Sequence, residues 1–108
     1  MNKIRLEKIN GHLQEELKNE KFKRAYEMER AKVSLAQKIA LLREEENLRQ
    51  VDLAKRLGVS QQFISQIETA QEKNLTIDTL LRIAISLDRG IRISFPKISK
   101  TDARLKVA

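Results

Sequence analysis

Four residues in one short stretch carry side chains suited to reading the edges of nucleic-acid bases: Gln61, Gln62, Ser65 and Gln66. A glutamine amide donates and accepts at once, which matches what adenine presents in the major groove, and a serine hydroxyl can do either. Ile64 and Ile67 interleave with them at helical spacing, so the four polar groups fall on the face away from the apolar pair. Other chemistry has little to draw on. The 108 residues include no Cys and a single His, His12, which lacks the partners that a metal site requires. There is no G-x-S-x-G, P-loop or H-E-x-x-H. Asp52, Glu68 and Asp78 are the acids nearest the stretch, and each has a plainer place in helix structure or ion pairing. The expectation is a binding protein, not an enzyme, with no cofactor and no metal.

A short exposed helix must be held in place by its neighbours. Leu53, Ala54 and Leu57 are apolar at helical spacing just upstream, which predicts two short helices joined by a tight turn. Gly58 stands between them, where a helix end needs a residue that tolerates positive φ. Ser60 follows as the N-cap of the second helix, its hydroxyl free to accept from an orphan backbone N–H.

The stretch from residue 50 to residue 68 resembles the helix-turn-helix of the Xre/Cro-C1 family. The resemblance lies in Gln50, Leu53, Ala54, Gly58, Val59, Ser60, Ile64, Ser65 and Glu68, nine positions in nineteen residues. It extends over roughly residues 35–87 once the flanking helices are included. The run Gln61-Gln62 with Gln66 is similar to the recognition helix of lambdoid phage repressors, where such glutamines touch bases. The family pairs an arginine, here Arg43, with the glutamate that closes the recognition helix, here Glu68. It also implies that Gln50 meets a backbone phosphate. Two departures stand out. Arg49 replaces the usual capping Ser or Thr, a loss of ~1 kcal/mol that puts a cation near the groove instead. Ala70 and Gln71 stand where a Gly commonly follows the glutamate.

The resemblance and the helical periodicity together predict a mainly all-α chain of Cro/C1-type, lambda-repressor-like fold. Its parts are an N-terminal tail and helical extension over 1–34, a DNA-binding domain over 35–90, and a C-terminal strand with a flexible basic tail over 91–108. A loose tail is expected to about Gly11, then a short helix ending near Lys18. Asn19 is read as the N-cap of a longer helix, with Phe22, Tyr26, Val33, Ala36 and Ala40 as its packed stripe and pairs such as Glu20 with Arg24 along its solvated face. Glu44, Glu45 and Glu46 are read as a solvated helix end facing away from a duplex. Thr76 is expected to cap a helix over 77–87, and Gly90 to end it. Ile91, Ile93 and Phe95 alternate with polar residues until Pro96, which predicts one half-buried strand with an unpaired edge, to be covered by its twin or by another protein.

The formal charge of +7 favours a polyanionic partner. The helix-turn-helix stretch contributes little of it: residues 31–75 hold 7 basic and 6 acidic groups, whereas residues 76–108 hold 7 and 3. Phosphate contacts therefore fall to a few placed groups, namely Arg49, Gln50, Ser60, Lys73 and Asn74. No apolar run approaches the ~20 residues of a membrane span, and with no Cys a cytoplasmic protein is expected.

The leading expectation is a sequence-specific regulator that binds a near-palindromic operator as a homodimer, with recognition helices in major grooves ~34 Å apart. The flanking segments, L-K-N-E-K-F-K-R-A-Y-E-M-E over 17–29 and I-R-I-S-F over 91–95, resemble those of HigA-type antitoxins, which implies a protein that represses its own operon and neutralises a RelE-like ribonuclease toxin. The alternatives are a phage or mobile-element repressor without a toxin, a protein-binding module with secondary DNA binding, and a non-specific basic nucleic-acid binder.

Overall fold

The computed structural model describes residues 3–99 and 105–107, and the regular secondary structure among them is entirely helical. Four helices follow in order: α1 (Lys3–Glu45), α2 (Gln50–Leu57), α3 (Gln61–Glu68) and α4 (Ile77–Ser86). The mainly α architecture of a Cro/C1-type domain is present, built by α2, α3, α4 and the last third of α1.

α1 is one uninterrupted helix of 43 residues. At 1.5 Å per residue it is about 65 Å long, which accounts for the longest dimension of the molecule, 68 Å. The expected loose tail before Gly11, the short helix ending near Lys18 and the cap at Asn19 are therefore all corrected. One interior Gly costs a helix only ~1 kcal/mol, and the helix-favouring residues around Gly11 absorb that. Glu20 and Arg24 do not form an ion pair among the described residues. The expected packed stripe is also corrected. Ala36 is buried, but Phe22, Tyr26 and Val33 are exposed, because the core formed with α2, α3 and α4 reaches only the C-terminal third of α1.

The core is small and aliphatic. Ile39 of α1, Leu53 and Ala54 of α2, Ile64 and Ile67 of α3, and Ile83 with Leu87 at the end of α4 form one buried cluster. Leu35, Leu42, Leu48, Leu57, Phe63, Leu75 and Leu80 seal its edges. Leu53, Ile64 and Leu87 are the largest side chains fully enclosed.

All four helices end the same way, each with one residue in the left-handed region. These are Asn47 (φ 57°), Gly58 (φ 68°), Ala70 (φ 59°) and Asp88 (φ 55°). In each case the next N–H reaches back five residues: Leu48 to the Arg43 carbonyl (3.2 Å), Val59 to Ala54 (3.0 Å), Gln71 to Gln66 (2.8 Å) and Arg89 to Ala84 (2.8 Å). This is the Schellman closure, and it satisfies carbonyls that a helix end otherwise leaves open. Gly90 was expected to end α4, but Asp88 takes the left-handed position two residues earlier, since a short polar side chain tolerates it.

Residues 90–99 form no strand. Ile91, Ile93 and Phe95 are exposed, and no second segment of the described chain lies alongside to complete a ladder. A strand is defined by its pairing, so alternation alone does not produce one in an isolated chain. Of the tail expected to be disordered, residues 97–99 and 105–107 are neither helix nor strand, and 100–104 and 108 lie outside the described residues. Among the described residues no helix is long and apolar enough to cross a membrane.

Candidate nucleic-acid interface

Gln61 and Gln62 open α3 and are exposed, while Ser65 and Gln66, one turn later, are half-buried. Ile64 and Ile67 root the opposite face of the helix in the core. The first turn is fixed by Ser60, whose Oγ accepts from the Phe63 N–H at 3.1 Å. That uses a lone pair and leaves the hydroxyl proton free to donate. At the far end, the Thr69 hydroxyl donates to the Ser65 carbonyl at 2.8 Å.

The last residue of α3 is anchored to α1. Arg43 donates from Nε to Glu68 Oε2 at 2.7 Å and from Nη2 to Oε1 at 2.9 Å. Its third nitrogen, Nη1, donates to the Leu48 carbonyl at 2.5 Å. The two side chains retain only 11% and 4% of their exposure. Glu68 holds the Arg43 guanidinium even more firmly protonated than usual, chiefly through the side-chain hydrogen bond. Gln50 joins the same group, its Nε2 donating to Glu68 Oε1 at 3.2 Å. Arg43, Gln50 and Glu68 thus tie α1, the start of α2 and the end of α3 together. Gln50 keeps its amide carbonyl and one N–H for another partner.

Arg49 differs from the expectation of an uncapped helix start. It cannot accept a hydrogen bond, but Asp52, three residues on, reaches back instead. The Arg49 backbone N–H donates to Asp52 Oδ2 at 2.8 Å, and the guanidinium donates to both carboxylate oxygens, at 3.1 and 3.0 Å. This is the carboxylate half of a capping box. The guanidinium bonds, followed by the backbone N–H, hold the Asp52 carboxyl down at about 2. Arg49 is exposed and most of its donors remain open, but it shares its charge with Asp52. Lys73 and Asn74 are exposed in the loop after α3. The Asn74 backbone N–H donates to Glu72 Oε1 at 3.1 Å, which shapes that loop.

Three supports were not foreseen from the sequence. Asp52 was visible only as an acid at the third position of a helix. Arg56 donates to the Ser86 carbonyl at 2.9 Å and ties α2 to the end of α4. Arg89 pairs with Glu45 and Glu46, at 3.1 and 3.3 Å, so the acidic run closes α4 onto the end of α1 instead of standing free in solvent. Contacts across 30 and 44 residues leave no local signal in a sequence.

The family model for the helix-turn-helix matches residues 39–93. No curated protein matches the chain. No solved structure matches it. That match covers half of the chain, including α2, the turn at Gly58, the whole of α3 and α4. The protein therefore belongs to the helix-turn-helix family of Xre/Cro-C1 type and is a DNA-binding transcriptional regulator.

Proposed function

We propose that the protein reads a near-palindromic operator as a homodimer, with α3 in the major groove. The observation that carries this is the outer face of α3: Gln61 and Gln62 present two amides side by side from a helix locked at both ends. Gln61, Gln62 and Gln66 read bases, with Ser65 assisting. Arg49, Gln50, Ser60, Lys73 and Asn74 hold phosphates and set the register. Gln50 does so while bonded to Glu68, so the phosphate clamp is coupled to the ion pair that positions α3.

A second copy docks on α4. Ile77, Leu81 and Ile85 lie at four-residue steps on its outer side and are 73%, 45% and 76% exposed. Such a ridge packs against its own copy at a steep crossing angle. The Asp78–Arg82 pair beside it (3.0 Å) offers each copy one charge of either sign. Ile91, Ile93 and Phe95 extend the apolar edge and complete a ladder with the partner's copy of the same segment.

The protein further acts as an antitoxin of HigBA-like type, neutralising a RelE-like ribonuclease toxin and repressing its own operon. Support comes from α1, where Leu13, Leu17 and Met28 are exposed on one face of a helix that nothing else in the described chain covers. Such an apolar face on a rigid rod suits a protein partner. The test is co-expression with the product of the neighbouring gene. A small basic ribonuclease that co-purifies, and is released by Leu13→Asp with Leu17→Asp, is the expected result. A neighbour that is no ribonuclease, or one that binds both forms equally, removes the antitoxin reading and leaves the operator-binding one intact.

A further inference from the structure

Away from α3, the C-terminal segment runs beside α1 and encloses a groove of about 860 Å³. Lys23, Tyr26 and Arg30 line one wall at helical spacing, and Phe95, Lys97 and Lys106 line the other. Among the described residues, four cations thus face a single carboxylate, Glu27. None of the four is engaged in an ion pair among the described residues. Phe95 is 94% exposed. The Arg30 guanidinium lies over the Tyr26 ring at 5.9 Å from its centroid, a planar cation beside an open aromatic.

We propose that this groove binds a single-stranded polynucleotide, RNA in the cell, at a site separate from the operator-reading helix. Unpaired cations along a groove track a phosphate chain, and exposed rings stack on bases. Both are present here. A duplex keeps its base faces inside the stack and cannot use the rings, and an acidic peptide would meet the cations but leave Tyr26 and Phe95 without planar partners. Tyr26 lies ten residues ahead of Ala36, where α1 enters the core, about 15 Å along the helix axis. The groove and α3 are therefore distinct surfaces, and neither assignment depends on the other.

The test uses the full-length protein with a fluorescein-labelled dodecauridylate, followed by anisotropy across a salt series. Saturable binding is expected, weakening as salt rises. Phe95→Ala and Tyr26→Ala each weaken it about tenfold, Phe95→Tyr retains it, and Tyr26→Ala, which lies outside the dimer contacts, binds operator duplex like the wild type. Both rings are on the surface, so the variants remain folded, which circular dichroism checks. Absence of binding at low salt, alanine variants that bind like the wild type, displacement by a duplex as effective as by unlabelled single strand, or binding of oligothymidylate alone would each overturn the proposal.

Discussion

Arg43 and Glu68, 25 residues apart in sequence, meet in a two-point pair at 2.7 and 2.9 Å that fastens the end of α3 to α1. Both side chains are largely withdrawn from water, and Gln50 and the Leu48 carbonyl complete their bonding. A pair like this costs most when one half is lost, because the survivor stays desolvated. Glu68→Gln should destabilise the protein by about 3 kcal/mol, the lower end of the range for enclosed pairs because Arg43 keeps an open rim. Arg43→Met combined with Glu68→Leu should cost less than the sum of the single changes. Urea unfolding of the four proteins checks this, and strict additivity would remove the coupling.

Ala70 occupies a left-handed position (φ 59°) that Gly fills at the end of α2. Ala70→Gly should stabilise by about 0.5–1 kcal/mol, since relief of the Cβ strain outweighs the added freedom of the unfolded chain. Gly58→Ala should destabilise by a similar amount, because φ is 68° there and the obstacle is the backbone conformation, not a lack of space. Thermal midpoints that move in the same direction for the two changes would contradict this.

The Asp52 carboxyl is held at about 2, below its ordinary 3.8, by Arg49. Its folded value is depressed, so its stabilising contribution is complete above the ordinary value and disappears as pH falls through about 2. Asp52→Asn should lower Tm at neutral pH, and the gap between variant and wild type should close between about pH 4 and pH 2. A gap that does not change with pH would mean the ion pair does not hold the start of α2.

The outer ridge of α4 predicts the oligomeric state. Leu81→Glu with Ile85→Glu should yield a monomer by light scattering with the helical content unchanged, because both residues point away from the core. Removal of residues 91–108 should weaken the dimer without abolishing it. A dimer that survives the α4 changes and is lost on truncation would transfer the interface to the C-terminal segment.

Much of the helix-turn-helix was legible because its signals are local. Gly58 and Ser60 sit at positions that helix ends demand, and the Ile64/Ile67 spacing separates the buried face of α3 from the polar one. What was misread depended on context. Asn10-Gly11 looks like a break, yet one Gly is a small penalty within 43 helical residues. Asn19 has the chemistry of a cap but no preceding turn to give it that role. Asp88, not Gly90, closes α4, because the closure geometry picks the residue next to the last turn over the most permissive one nearby. The alternation at Ile91, Ile93 and Phe95 encodes a strand only for a partner to complete. Of the candidate site, the positions of the glutamines followed from spacing, whereas the engagement of Gln50 with Glu68 and of Arg49 with Asp52 depended on tertiary geometry.

The central claim is that α3 reads bases through its glutamines. It is tested most directly by selecting the preferred operator with the wild type, then measuring affinity for that operator and for a scrambled duplex, at one moderate salt concentration, with wild type and with Gln61→Ala/Gln62→Ala/Gln66→Ala. The account predicts that the triple variant binds the scrambled duplex unchanged while its preference for the operator falls by at least ~10-fold, since each good base contact supplies ~1–3 kcal/mol of discrimination. An unchanged preference in the triple variant would contradict it.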